Sequence, residues 1–208
     1  MHKFLIVDDH QVVRRGVRDI LKATFSPCDV TEAANGEAAL QEVRNASFDL
    51  IIMDINMPDT DTLHLVEQVL KLRAGTRILM FSMGAEYVYA KRFLKAGARG
   101  FVSKDAEVEE IVKAVRQVLN NKRYVSDNLA SVLANESLSG GTANPFNKLS
   151  AREFEIATLL LAGHTISGIA KSHNLKVSTI GTHKTRLFEK LGVTNLLELK
   201  ELANNYQL

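Results

Sequence analysis

One cysteine, Cys28, is all the thiol chemistry in this chain of 208 residues. That excludes an intramolecular disulfide and fits a reducing compartment. No apolar run approaches the ~20 residues that a bilayer-spanning helix requires. The apolar part of the opening stretch MHKFLIVDDH is too short for a secretory signal, and two acids follow it at once. A cytoplasmic protein without membrane association is expected. Net charge is scarce too: 26 Lys+Arg against 24 Asp+Glu leave +2, which alone calls for no polyanionic partner. The balance is uneven, however. Residues 1–120 carry 16 basic against 17 acidic side chains, whereas residues 149–208 carry 7 against 5 and three histidines. The sign suits an acid-centred first half and a second half that faces nucleic acid.

What is present is a strict alternation. Short apolar runs at Phe4–Val7, Val30–Ala33, Leu50–Met53, Ile78–Phe81 and Gly100–Val102 are each too short for a helix and have the character of buried parallel strands. Helical patterns lie between them, the fourth built on Val88, Phe93 and Leu94. Five strand-then-helix units predict a doubly wound five-stranded parallel sheet over residues 1–121, an α/β domain with helices on both faces. Residues 122–148 are predicted to form a linker, with a short helix at Ser126–Ala134 and a breaker-rich stretch, SLSGGTANP, from Ser137 to Pro145. From Leu149 onward only helical patterns remain. They fall at Ala151–Ala162, Thr165–Lys171, Val177–Leu191 and Leu196–Asn205, and Ser150 and Glu153 form a capping-box signature.

In a doubly wound sheet, ligands bind beyond the carboxyl ends of the strands, where strand order reverses. Asp8 and Asp9 follow the first strand, Asp54 the third, Ser82 ends the fourth and Lys104 follows the fifth. A lone aspartate there is most often a cap, and a lysine past a strand is usually just solvated. Five such groups on one rim point to chemistry. Three close carboxylates raise one another's pKa unless a cation compensates, and Mg²⁺ takes carboxylates, waters and phosphate oxygens. Asp54 is then placed to act as a nucleophile forming an aspartyl phosphate, with Lys104 and Ser82 facing the phosphoryl oxygens. In the second half, the spacing of the second and third helices is that of a helix-turn-helix. The second helix of that motif enters the major groove. Ile180, Leu187 and Leu191 are expected to face the core. The exposed set, Lys176, Ser178, Thr179, Thr182, His183, Lys184, Arg186 and Lys190, is either a solvated face or a DNA-reading one.

The stretches LIVDDH, MDINMPD, FSMG and GARGFVSKD resemble the receiver domain of two-component response regulators of the NarL/FixJ group, over residues 3–120. The resemblance implies that Asp54 accepts a phosphoryl group from a sensor histidine kinase. It further implies that Asp9 and Asp54 bind Mg²⁺ directly, Asp8 through water, and the Asn56 backbone carbonyl completes the set. Ser82 and Phe101 match the switch hydroxyl and switch aromatic; without the resemblance Phe101 is simply a core residue. LSAREFEIATLLLAGHTISGIA and STIGTHKTRLFEKLGV resemble the LuxR-type helix-turn-helix, implying a homodimer on paired half-sites of double-stranded DNA.

Several residues depart from the family pattern. Thr62 replaces a glycine and is expected to reshape the loop entering the third helix. Met83 is bulky where small residues are commoner, with an expected effect on access to Asp54. His173 stands at an apolar core position, Lys176 replaces a serine cap, and Gly168 and Gly181 weaken their helices. Two other functions compete. A phosphatase working through an aspartyl phosphate would carry a second acid two residues after Asp54, where this chain has Asn56, so no enzyme is expected. A regulator acting through protein–protein contacts, its DNA binding weakened, is the stronger alternative.

Overall fold

The computed structural model describes residues 1–58, 60–83, 86–126, 130–131, 144–173 and 175–206, without the side chains of 86–89, 147 and 151. Asp59, the side chain of Val88, most of the expected helix at Ser126–Ala134 and nearly all of the breaker-rich stretch lie outside that description. The chain divides into two compact units, Met1–Gly140 and Gly141–Leu208.

In the first unit, strands and helices alternate: β1 (His2–Val7), α1 (Gln11–Thr24), β2 (Cys28–Ala33), α2 (Gly36–Asn45), β3 (Leu50–Met53), α3 (Thr62–Leu72), β4 (Arg77–Ser82), α4 (Glu86–Ala96), β5 (Gly100–Ser103) and α5 (Val108–Leu119). The five strands pair in parallel in the order β2-β1-β3-β4-β5. The alternation of apolar runs and helical patterns foresaw this sheet, because central parallel strands bury both faces and so read as continuous apolar runs. β3 and β4 are the clearest cases: Leu50–Met53 and Ile78–Phe81 are all buried. β1 and β2 begin two residues earlier than their apolar runs.

Side chains alternate across the pleat. Phe4, Ile6, Leu50, Ile52, Leu79, Phe81 and Val102 point to one face, where Val17 and Leu21 of α1 and Ile111, Val115 and Val118 of α5 complete the core. α2, α3 and α4 cover the opposite face. The core also takes in Tyr124, beyond the end of α5. Its carbonyl accepts the Phe101 amide at 3.1 Å, and its own amide donates to the Arg99 carbonyl at 3.0 Å. The phenol donates to Glu110 at 2.8 Å. Gly100 permits this approach: a Cβ there would lie 2.9 Å from the Tyr124 carbonyl oxygen.

Among the described residues, the second unit forms only helices: a 3₁₀ turn at Pro145–Lys148, then α6 (Ala151–Leu161), α7 (Ile166–Ser172), α8 (Val177–Leu191) and α9 (Leu196–Asn205). Its core joins Phe146, Phe154, Leu160, Ile169, Ile180 and Leu187. The helix starts follow their caps. Ser150 and Glu153 make the full reciprocal box, Thr165 accepts from the Gly168 amide at 3.1 Å, and Asn195 accepts from the Glu198 amide at 3.0 Å. α8 ends at Gly192 with φ +68°, a left-handed conformation suited to glycine.

Gly100→Ala is expected to destabilise the first unit by roughly 1–3 kcal/mol, because backbone must yield to the new methyl. Urea unfolding checks this, and Ala substituted at Gly16, where a Cβ meets nothing within 4 Å, should not cause the loss.

Candidate functional site

Strand order reverses between β1 and β3, so the crevice beyond their carboxyl ends is the natural ligand position. The backbone carries the first residues past each strand into that crevice. The Asp8 amide donates to the Ala33 carbonyl at 3.2 Å, and the Asp54 amide to the Val7 carbonyl at 2.8 Å. On the other side, the Lys104 amide donates to the Ser82 carbonyl at 3.0 Å. Backbone hydrogen bonds thus set Asp8, Asp54 and Lys104 around one point.

Asp8, Asp54 and Ser82 are buried. The Lys104 ammonium lies between the acids, 2.6 Å from Asp8 Oδ2 and 2.8 Å from Asp54 Oδ2. Burial pushes the Asp54 carboxyl up, Lys104 pulls it back, and the Asp8 charge adds to the rise. Burial also works against the ammonium, but the Asp54 and Asp8 carboxylates outweigh it and hold Lys104 above the ordinary lysine range. Asp9 completes the cluster of three carboxylates, of which the ammonium pairs with two. Asp54 Oδ1 accepts from the Asn56 amide at 3.3 Å. One ligand atom each from Asp8, Asp9, His10 and Asp54 lies within 4.8 Å of every other. These closely set carboxylates are a donor set that a hard divalent cation fits.

Five of the expected residues, Asp8, Asp9, Asp54, Ser82 and Lys104, stand on the strand ends around this crevice. Phe101 does not join the rim; it is fully buried in β5, in register with Met80. Thr62 opens α3 as its first residue, fully buried, and its hydroxyl donates to the Ile55 carbonyl at 2.7 Å. It therefore ties the loop after Asp54 to the helix start, an anchor a glycine lacks. Met83 is 64% exposed and lines an apolar cavity of about 510 Å³ with Val13, Val17, Phe81 and Val108. Sequence reasoning missed His10, whose Nδ1 sits 2.9 Å from Asp9 Oδ1 and 3.3 Å from Asp8 Oδ1. Its place directly after the two acids was the available signal.

On α8, Ile180 and Leu187 are buried as expected, and Phe188, not foreseen, joins them. Lys176, Ser178, Thr182 and Arg186 are exposed; Thr179, His183 and Lys184 are half-buried. Lys176 stands at the N-cap without a capping bond. A Cβ at Gly181 would meet nothing within 4 Å, so its surface is open. Lys190 is exposed as expected, and it also makes an ion pair. Its ammonium is 2.6 Å from Glu153 Oε2, the carboxylate that also accepts the Ser150 amide at 2.8 Å. A buried carboxylate needs a cation more than a solvated face does, so Lys190 anchors α8 to α6. His173, expected to break an apolar position, is accommodated by polar neighbours: Nδ1 is 3.3 Å from an Arg152 nitrogen and Nε2 is 3.7 Å from Glu155. Burial lowers its pKa; Glu155 opposes this and Arg152 adds to it.

An acidic crevice at the switch point of a 2-1-3-4-5 parallel sheet, with a lysine from the last strand inside it, defines a receiver-type domain, here followed by a helix-turn-helix unit. Residues 4–116 match the response regulator receiver domain family, and residues 147–203 match the bacterial regulatory proteins of the luxR family. The chain belongs to the two-component response regulators of the NarL/FixJ family. Response regulator UvrY of Escherichia coli K12 is 32% identical over 209 residues, covering 100% of this chain and 96% of UvrY. Response regulator GacA of Pseudomonas aeruginosa is 34% identical over 204 residues, covering 98% and 95% of the two chains. Among solved structures, RcsB of Salmonella enterica serovar Typhimurium, bound to promoter rprA in the presence of phosphomimetic BeF3−, shares the fold. Its TM-score is 0.61 at 23% identity, with 97% of each chain covered.

Glu153 tests the anchoring of α8. Burial opposes its charge, but the Lys190 and Ser150 bonds outweigh burial and hold its pKa below the ordinary value near 4.5. A depressed carboxylate stabilises the fold above that value and loses the contribution as pH falls through the lowered one. Lys190→Met should cost about 1–2 kcal/mol at neutral pH, discounted for the exposed half of Lys190. In urea unfolding, the gap between variant and parent should narrow below about pH 4.5.

Proposed function

We propose that this chain is a cytoplasmic transcription factor switched by phosphorylation of Asp54 from a sensor histidine kinase. The observation that carries this reading is the Lys104 ammonium held between Asp8 and Asp54 in a buried crevice. An ionised Asp54 oxygen attacks the phosphorus of a phosphohistidine. The new O–P bond forms as the P–N bond breaks, and the electron pair leaves with the imidazole. Asp9, Asp54 and the Asn56 carbonyl, with Asp8 through water, would hold Mg²⁺, which would supply positive charge at the phosphoryl oxygens. Lys104 adds a second positive charge, and the Ser82 hydroxyl donates a hydrogen bond. Moving Lys104 and Ser82 onto the phosphoryl group releases Asp8 from its ion pair. Phe101, on the strand that leads to Lys104, is where that rearrangement meets the core. Met83, next to Ser82 and largely exposed, tunes how fast phosphodonors and water reach Asp54.

α8 then serves as the recognition helix. Lys176, Ser178, Thr179, Thr182, His183, Lys184 and Arg186 face double-stranded DNA, Lys and Arg meeting phosphates and the first turns facing bases. Lys190 contributes by holding the helix in place. The chain would act as a homodimer on paired half-sites, and the solved RcsB structure of like fold is bound to a promoter, which supports the DNA-binding part of this reading. A regulator acting through protein contacts is the second reading, favoured by the uncapped start of α8 at Lys176 and by the bare surface at Gly181.

Incubated with Mg²⁺ and a small phosphodonor, the chain should gain one phosphoryl group by intact mass. Asp54→Asn should gain none while keeping its circular dichroism; continued labelling overturns the assignment. In gel shifts, log affinity for DNA should fall linearly with log salt concentration. Arg186→Ala should reduce that slope by about one. Negligible binding to every genomic fragment, with or without phosphorylation, selects the second reading.

A further inference from the structure

The Asp54 carboxylate is held at both of its oxygens. Lys104 approaches Oδ2 at 2.8 Å. At the other oxygen, the Asn56 amide donates to Oδ1 at 3.3 Å, beyond the usual N–H···O distance of about 2.9–3.0 Å. A bond that long depends on how squarely its donor is held. The Asn56 N–H shares one peptide group with the Ile55 carbonyl, and that carbonyl accepts the Thr62 hydroxyl at 2.7 Å. A peptide group is planar and rigid, so its C=O and N–H turn together. Whatever holds the carbonyl therefore aims the amide.

Thr62 is itself fixed. It is fully buried as the first residue of α3, and the helix start is capped by Asp61, whose carboxylate accepts the His64 amide at 3.2 Å. The buried Leu65, Val66 and Val69 seat the same helix. The hydroxyl bond to Ile55 is buried too, so water does not compete for it. A carbonyl that accepts such a bond leaves its N–H the better donor, by roughly 10–30% per bond in a chain. A glycine at this position offers neither the anchor nor the polarisation.

We propose that Thr62 is a positioning residue for phosphoryl transfer: through the Ile55–Asn56 peptide, its hydroxyl sets the direction in which Asp54 presents its carboxylate. This rests on the reading of Asp54 as the phosphoryl acceptor. Transfer to a carboxylate depends mostly on its alignment with the phosphorus. With the peptide free to rock, the carboxylate turns about its Cβ–Cγ bond and loses that alignment. Thr62 thus sets the pace of the reaction without touching the phosphoryl group.

Three variants of the full chain separate the hydroxyl from the rest of the side chain. Thr62→Val keeps the shape, Thr62→Gly removes the side chain, and Thr62→Ser keeps the hydroxyl. The rate of labelling by acetyl phosphate in excess Mg²⁺ is followed by intact mass. It should fall about three- to tenfold in Thr62→Val and Thr62→Gly, short of the ~10²-fold that a 1 Å misplacement costs. Thr62→Ser should recover the parent rate. In NMR spectra taken without metal or donor, the Asn56 amide proton should move upfield in Thr62→Val. The Asp54 carboxyl carbon should move with it, and both should return in Thr62→Ser. Parent-like rates in Thr62→Val and Thr62→Gly overturn the proposal, as do unmoved resonances. A slow Thr62→Val beside a parent-like Thr62→Gly also overturns it, because misfit of the new methyl would then be the cause. So does a Thr62→Ser as slow as Thr62→Val. A parent that takes no phosphoryl group sinks the reading of Asp54 instead. The two resonances then decide the relay by themselves: moved, it stands; unmoved, it falls.

Discussion

The pairing of Lys104 with Asp8 and Asp54 is the constraint on which the first domain depends. Two carboxylates at adjacent strand ends, both removed from solvent, repel each other and lose hydration. A single ammonium arriving from β5 offsets both costs, at 2.6 and 2.8 Å. It can arrive only if β1, β3, β4 and β5 lie side by side in the observed order, since Lys104 is positioned through the Ser82 carbonyl of β4. Three stretches of sequence far apart in the chain are thereby bound into one electrostatic unit. A buried ion pair of this kind contributes little net stability. Its value is that a second anion entering the crevice finds the cation already in place.

Much of this was legible in the sequence, for identifiable reasons. Central strands buried on both faces announce themselves as apolar runs, so Leu50–Met53 and its neighbours could be placed almost to the residue. Helix starts in the second domain were legible where a capping side chain marks them, as with Ser150 and Glu153. What escaped depends on contacts between segments distant in sequence. The Lys190–Glu153 pair spans 37 positions, so the helical spacing that rightly left Lys190 exposed could not show its partner. Tyr124 carries no periodic signal, because a single residue beside a strand has no period. Thr62 was recognised as unusual, but only the fold gives its hydroxyl a partner in Ile55.

The two domains use charge differently. In the first, three acidic side chains, Asp8, Asp9 and Asp54, gather at strand ends, and the lysine among them is almost fully enclosed. In the second, Lys176, Lys184, Arg186 and Lys190 follow one helix and keep access to solvent, while Arg152 is drawn in by the buried Glu155. Placement therefore separates the domains more sharply than composition, whose charge difference amounts to a few residues.

β5 is an outer strand of the sheet, short and apolar, with the sequence Gly-Phe-Val-Ser. A strand of that kind left open is a template on which a foreign chain can extend the sheet, the first step towards aggregation. Here Tyr124 occupies that margin, taking the Phe101 amide and the Arg99 carbonyl for itself. On the opposite margin β2 carries the exposed Asp29 instead, a charge that discourages the same intrusion. The residue that follows α5 thus acts as a selvedge, finishing the sheet so that it cannot be lengthened by a neighbour.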